Sequence, residues 1–372
     1  MDFEITPEQQ DLVDSVRAVL ERECPTALVR DIIENGSAPR QPWKSARELG
    51  WTAIDVPEAQ GGLGLGFHAL GLVVEQHGCA IAPGPFLATI TQFLPLVREV
   101  ADAGQQDRFV RAAACGEITG ALAIDHGRAA LHGLGDSLRA RRDGNAWVLD
   151  GERRYVLDGD RADEIAVAAR VDAGDGVGLF VVPQEAVKAQ RMVELDASRP
   201  LAHLRFEGVR VEPSRVLGAP GACAPALGRA LEQATVAAAL ECVGTCQTLL
   251  DRTVEHAKTR RQFGHPIGFF QAIQHKCVDM FVQVEKARAT AYFAMLAVAE
   301  DDARRTLAAS MAKAAASDCQ RIVCKEGIQI HGGMGYTWES DVQLYVKRAK
   351  TLDALFGTGP QHRQRVADLL EI

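Results

Sequence analysis

The sequence predicts an α+β chain, with a helical domain over 1–116, a β-rich domain over 117–220 and a helical bundle over 221–372. Three observations carry that prediction. Leu12, Val13, Val16, Val19 and Leu20 recur at helical spacing, and similar periodicity continues to about residue 115. Between 118 and 218 short β-like runs take over, at 146–151, 164–169 and 177–182, separated by Gly and Asp. That pattern suits a small barrel or sandwich. After Pro225 come Ala-, Leu- and Val-rich helical stretches at 226–258, 269–299 and 303–330, then a short one at 361–370. Three long amphipathic helices and a short fourth suggest an antiparallel bundle.

Thr6-Pro7-Glu8-Gln9 reads as a helix start, with Thr6 as cap, Pro7 in the first turn and Gln9 completing a capping box. Pro57 and Gly61-Gly62-Leu63-Gly64 mark a loop, followed by helices over 70–78 and from Pro85. Trp51 reads as a core residue. A chain of 372 residues is long enough for two or three domains, each with its own core. Its formal charge of −8, with no basic tract, weighs against a nucleic-acid surface. Nine cysteines without a CxxC pair read as reduced thiols, not as a disulfide framework or a metal site. Met1-Asp2-Phe3-Glu4 has neither the basic nor the apolar region of a signal peptide. No apolar run approaches the ~20 residues that span a bilayer. The expectation is a cytoplasmic enzyme or enzyme subunit.

Four segments carry the chemistry: Arg260-Arg261-Gln262-Phe263-Gly264, Phe270-Gln271-Ala272-Ile273-Gln274-His275, Gln329-Ile330-His331-Gly332-Gly333-Met334-Gly335-Tyr336, and Ala354-Leu355-Phe356-Gly357-Thr358. Taken singly, each has a plain structural reading. Cations after a helix complement its dipole, and Gly332-Gly333 is an ordinary helix stop. A cap alone constrains neither Gln329 nor Tyr336, so the full run is more specific.

Together, with Val209-Arg210-Val211-Glu212-Pro213 at the exit of the β-rich domain, these segments resemble the acyl-CoA dehydrogenases over essentially the whole chain. The resemblance implies an N-terminal helical domain, a middle β-barrel and a C-terminal four-helix bundle. It also implies that Arg260, Phe263, Gln271, Gln329, Gly332, Gly333 and Thr358 contact FAD, most of them across a subunit interface. A planar guanidinium such as Arg260 suits a pyrophosphate because it pairs bidentately with its oxygens.

The chain departs from the family where the chemistry happens. The family's Glu before Gly-Thr removes the substrate α-proton, and here that position is Phe356. Its alternative position on the first long C-terminal helix is Ala234. The family's flavin-ring segments are replaced by Ala123-Ile124-Asp125-His126-Gly127-Arg128 and Arg154-Tyr155-Val156-Leu157. Glu241, two turns beyond Ala234 in an apolar stretch with no cation three or four residues away, is the one candidate base, beside the plain reading of a Glu capped by a partner side chain or exposed at an interface. Lys347-Arg348-Ala349-Lys350 matches the family's Arg-Asp-Ala-Arg without its acid and reads as a solvated basic helix face.

Segments lent to a neighbour's FAD are intact, while those serving the chain's own flavin are altered. This implies an α2β2 tetramer with a paralogous dehydrogenase subunit, resembling actinobacterial enzymes that oxidise CoA thioesters of steroid side chains. Its partners would be an acyl-CoA substrate and an electron-transfer flavoprotein. The alternatives are a self-sufficient homotetramer using Glu241 as base, or a non-catalytic acyl-CoA-binding scaffold.

Overall fold

Thr6 opens the first helix in the way its sequence predicts. Its hydroxyl accepts from the Gln9 backbone N–H at 3.3 Å, and the Gln9 side chain accepts from Thr6 N–H at 3.0 Å. Both otherwise unpaired donors are satisfied. The computed structural model describes residues 5–38, 40–124, 137–171 and 176–372. Its main helices are α1 (Pro7–Glu23), α2 (Thr26–Asn35), α3 (Arg40–Glu48), α4 (Gly66–Cys79), α5 (Leu94–Val100), α6 (Ala224–Thr259), α7 (Gln271–Ala299), α8 (Arg305–His331), α9 (Val342–Ala354) and α10 (Gly359–Leu369). The chain forms two compact units. One comprises Met1–Gly36, Gly71–Ala82 and Val236–Ile372, and the other Ser37–Leu70 and Pro83–Thr235.

The first unit is helical. Its α7 and α8 pack along each other, and α8 also carries α9 and α10. Small side chains make this possible: Ala287 and Ala291 on α7 and Ala308, Ala312 and Ala316 on α8 are all buried, which lets helix axes approach closely. Within this unit α4 and α6 touch backbone to backbone. A Cβ on Gly244 would lie 2.0 Å from Glu75 O, and one on Gly78 would lie 2.1 Å from Glu241 O. The hydroxyls of Thr245 and Thr248 donate to Gly78 O and Cys79 O at 3.2 and 2.9 Å, so the crossing is hydrogen-bonded as well as tight. Gly244→Ala should therefore force the helices apart and destabilise the unit by about 1–3 kcal/mol or more. The midpoint of urea unfolding reads this directly, and an unchanged midpoint would mean the crossing relaxes freely.

The second unit holds a mixed sheet of β1 (Gly120–Ala123), β2 (Leu138–Asp143), β3 (Ala146–Leu157), β4 (Glu164–Val171), β5 (Val177–Pro183), β6 (Lys188–Arg191), β7 (Leu201–Val211) and β8 (Val216–Gly221). The order is β6-β7-β3-β2-β4-β5-β8, with β1 pairing in parallel to β4. The expected barrel is not closed: no ladder among the described residues joins β6 to β8. One edge of β4 is shared end to end by β1 and β2, and its other edge takes β5. A core of Leu149, Val156, Ile165, Val167, Phe180, Leu204 and Val211 lies against the sheet. Trp51, in a short turn of this unit, is buried as predicted.

Two residues near the end of β3 break the regular strand. The ladder between β3 and β7 shifts register between Arg153 and Val156, and Tyr155 sits in that irregularity with φ of +60° and its ring 49% exposed. Asp158 follows with φ of +55° and is fully buried. Neither of its carboxylate oxygens has a hydrogen-bond partner among the described residues, and Arg161 Nε stands 3.9 Å away. Burial pushes this carboxyl up to about 7, which Arg199 and Arg161 offset only in part.

All nine cysteines are free thiols. No helix among the described residues is long and apolar enough to cross a membrane.

Candidate functional site

After α6 the basic segment turns back on itself. Strands β9 (Arg261–Gln262) and β10 (His265–Pro266) pair antiparallel across Phe263 and Gly264. Both turn residues have positive φ, +53° and +81°, the geometry of a tight two-residue hairpin. Phe263 adopts it without being glycine, and its ring is 88% exposed, edge-on to Phe270 at 6.1 Å. Internal packing of the unit does not explain an aromatic held outward on strained backbone. Ile267 N–H donates to Arg260 O at 2.8 Å and fixes the main chain there. The Arg260 guanidinium is exposed and has no acidic partner among the described residues. Gln271, the first residue of α7, is also exposed.

At the other edge of this surface α8 ends at His331. Gly332 has φ of +61° and ψ of −138°, a conformation that side chains with a Cβ avoid. A Cβ on Gly332 or Gly333 would meet nothing within 4 Å, so these glycines border open space. Gln329 is exposed beside them. Two contacts join the edges. The rings of His256 on α6 and His331 stack with centroids 4.3 Å apart and planes 22° apart. Lys276 near the start of α7 pairs with Glu326 near the end of α8. Arg260, Phe263, Gln271, Gln329, Gly332 and Gly333 thus share one end of the helical unit.

The segment 355–358 is held apart from that surface by main-chain contacts. Lys313, buried on α8, donates from Nζ to Leu352 O and Asp353 O, both at 2.8 Å. His362 Nε2 donates to Phe356 O at 2.9 Å. Thr358 caps α10, its N–H donating to Gln361 Oε1 at 2.8 Å. Burial lowers Lys313 to about 8 and His362 to about 4, and the Lys313 charge adds to the second effect. Phe356 itself is 2% exposed, with φ of +58°.

Glu241 lies where the sequence put it, in the apolar middle of α6, and it is capped by a partner side chain, as its plain structural reading has it, not held as an unpaired base. Its Oε1 accepts from Arg348 Nη1 at 3.0 Å, and both side chains are fully buried. Arg348 also donates to Ala82 O at 3.3 Å. The expected solvated basic face around Arg348 is corrected accordingly: α9 turns this cation inward, because a carboxylate awaits it on α6. Sequence spacing within one helix could not reveal a partner 107 residues away.

Of the two altered flavin-side segments, residues 125–128 lie outside the described residues. In the second, Arg154 and Tyr155 are exposed, while Val156 and Leu157 are buried. A cavity of about 710 Å³ in the helical unit, lined by Arg17, Glu75, Arg288 and Tyr292, contains none of the motif residues. Sequence reasoning passed over Lys313 and His256. A lone cation in the Ala-rich run of α8 was the available signal for the first.

Family models described as "Acyl-CoA dehydrogenase, N-terminal domain" and "Acyl-CoA dehydrogenase, C-terminal domain" match residues 6–117 and 225–370. The chain belongs to the acyl-CoA dehydrogenase family. Its members are flavoprotein oxidoreductases acting on the CH–CH bond of acyl-CoA thioesters. The mitochondrial short-chain specific acyl-CoA dehydrogenase of Rattus norvegicus is 28% identical over 340 residues, covering 88% of this chain and 82% of the relative. Butyryl-CoA dehydrogenase from Megasphaera elsdenii shares the fold, with a TM-score of 0.92 at 24% identity and both chains fully covered. A chain of the ChsE4–ChsE5 complex from Mycobacterium tuberculosis superposes with a TM-score of 0.90 at 26% identity, again over all of both chains. Within the acyl-CoA dehydrogenase frame, then, this member has segments 260–264 and 329–333 at the exposed end of its helical unit and a phenylalanine at 356.

Proposed function

We propose that this chain is the cofactor-completing subunit of a hetero-oligomeric acyl-CoA dehydrogenase. It lends Arg260, Phe263, Gln271, Gln329, Gly332, Gly333 and Thr358 to an FAD shared with a base-bearing paralogue, in an α2β2 assembly. The carrying observation is the contrast between two places. Arg260, Phe263, Gln271, Gln329, Gly332 and Gly333 stand exposed at one end of the helical unit, with an unpaired Arg260 guanidinium among them, while Thr358 caps α10. Position 356, by contrast, is a buried phenyl ring and Glu241 is bound to Arg348. A phenyl ring accepts no proton, and a carboxylate sealed against a guanidinium is out of reach of a substrate.

Arg260, Gly332 and Gly333 fit a pyrophosphate-bearing cofactor: a free planar cation lies near a glycine main chain that nothing covers. Arg260 would pair with the pyrophosphate, and the Gly332-Gly333 backbone would admit the adenine half closely. Bound FAD would supply the acceptor for the β-hydride. The partner's carboxylate would take the α-proton, and electrons would leave through an electron-transfer flavoprotein. Likeness to the ChsE4–ChsE5 complex supports the two-chain arrangement, and the acyl group would be a bulky or steroid-side-chain one.

Co-expression with the paralogue tests the proposal. The chain alone should purify colourless and the complex yellow and active. Arg260→Ala should weaken FAD binding by the complex roughly ten- to a hundredfold, the worth of about 1.5–3 kcal/mol for a charge-assisted pair. Titration of the deflavinated complex by flavin fluorescence measures this. Unchanged affinity and stoichiometry would remove Arg260 from the site, and a yellow, active single chain would favour the self-sufficient homotetramer. A complex colourless even with the paralogue would favour the scaffold.

A further inference from the structure

We propose that His256 is a positioning residue for the shared cofactor site: it sets the Gly332-Gly333 turn against Arg260 through its stack on His331, and it makes FAD retention strengthen as pH falls. The inference rests on the lending role argued above. His256 sits one helical turn before Arg260, whose N–H donates to His256 O at 2.8 Å. Its ring lies on that of His331, 4.3 Å between centroids. His331 in turn is oriented by Nδ1 donating to Gly327 O at 2.8 Å, one turn back along α8. The two imidazoles therefore clamp the end of α6 to the last turn of α8 directly before the two glycines. No other ring stack among the described residues joins these helices.

The charges around His256 set the direction of the pH effect. A cleft of about 350 Å³ brings Arg252 and Glu255 of α6, His331 of α8, and Glu339 and Asp341 of the segment before α9 to one place. Arg252 is already engaged, with Asp341 at 3.5 Å and over the Tyr345 ring. Arg260 completes the set from the chain after α6. Burial first, then His331 and Arg260, hold the His256 imidazole below its usual value. A pyrophosphate on Arg260 would remove the repulsion between that cation and a protonated His256. Binding would then take up protons, and affinity would rise as pH falls.

The test is FAD affinity of the deflavinated complex between pH 8 and 6, read by flavin fluorescence. Wild type should gain roughly fivefold on going to pH 6, less than the tenfold per pH unit that one fully linked proton allows. His256→Phe keeps a ring on His331 and should bind FAD about as wild type does at pH 8, with a flat pH profile. His256→Ala loses the clamp and should bind more weakly at every pH. A wild-type slope in His256→Phe, or wild-type affinity in His256→Ala, overturns the assignment. If the Arg260→Ala complex still loses affinity in that experiment, only the role of His256 falls. If Arg260→Ala is also silent, the lending role falls with it.

Discussion

Glu241→Gln should unfold the helical unit at markedly lower denaturant without altering the chemistry of the molecules that remain folded. The substitution removes the Glu241 charge from beside a buried, charged Arg348, and removing one partner of a buried pair costs about 3–5 kcal/mol. The geometry gives little room for escape, since both side chains are fully buried and Arg348 is further fixed on Ala82 O. The double variant Glu241→Leu, Arg348→Met should recover most of the loss, because replacing both charges with apolar groups of similar bulk removes the desolvation penalty with the attraction. Urea unfolding of the three variants, with flavin content and turnover of the assembled complex, separates the roles of Glu241. A stable Glu241→Gln complex with turnover reduced a hundredfold or more would identify Glu241 as the base after all.

Asp158→Asn should make the β unit more stable at pH 8 and flatten its pH dependence. The folded carboxyl titrates at about 7, well above its value of 3.8 in an unfolded chain. Between those values the folded state holds a proton that the unfolded state has released. Stability is therefore fully present below about pH 4 and is lost as pH rises through 7. Three pKa units correspond to something on the order of 4 kcal/mol between the ends of that window. Asparagine carries no charge to desolvate and should remove this slope, leaving only the contributions of other groups. Unfolding midpoints of wild type and variant at pH 5 and pH 8 decide it. Parallel pH profiles would mean that Asp158 is ionised and solvated in the folded protein.

The long helices were legible because their signals are local. Thr6, Gln9 and the apolar spacing of α1 are read within four residues of one another, and the structure returns the capping box that they predict. The β runs at 146, 164 and 177 were legible for the same reason, but their closure was not, since which edges pair is decided by residues far apart in the chain. The site divides likewise. Gly332 announces a backbone that needs glycine, and Arg260 announces a cation after a helix. Neither shows that His256 and His331 bring the two together. Whether Glu241 was a lone base or a capped carboxylate stayed open in the sequence because its partner, Arg348, lies on another helix. In Lys347-Arg348-Ala349-Lys350 the inward residue cannot be told from its outward neighbours by charge alone. Burial of a charge is a tertiary fact.

The loop at 355–358 is gripped through its peptide groups as well as by the Thr358 hydroxyl, which donates to Gln361 Oε1 at 3.1 Å. Lys313 holds the carbonyls of Leu352 and Asp353, His362 holds that of Phe356, and Gln361 holds the N–H of Thr358. None of these grips reads the side chain at 356. These main-chain grips would stay in place if the residue at 356 were exchanged. With a phenyl ring enclosed there at 2% exposure, exchanging it for a carboxylate would bury a charge instead. On the two-chain reading proposed above, such a loop would make reliance on a partner's base hard to undo.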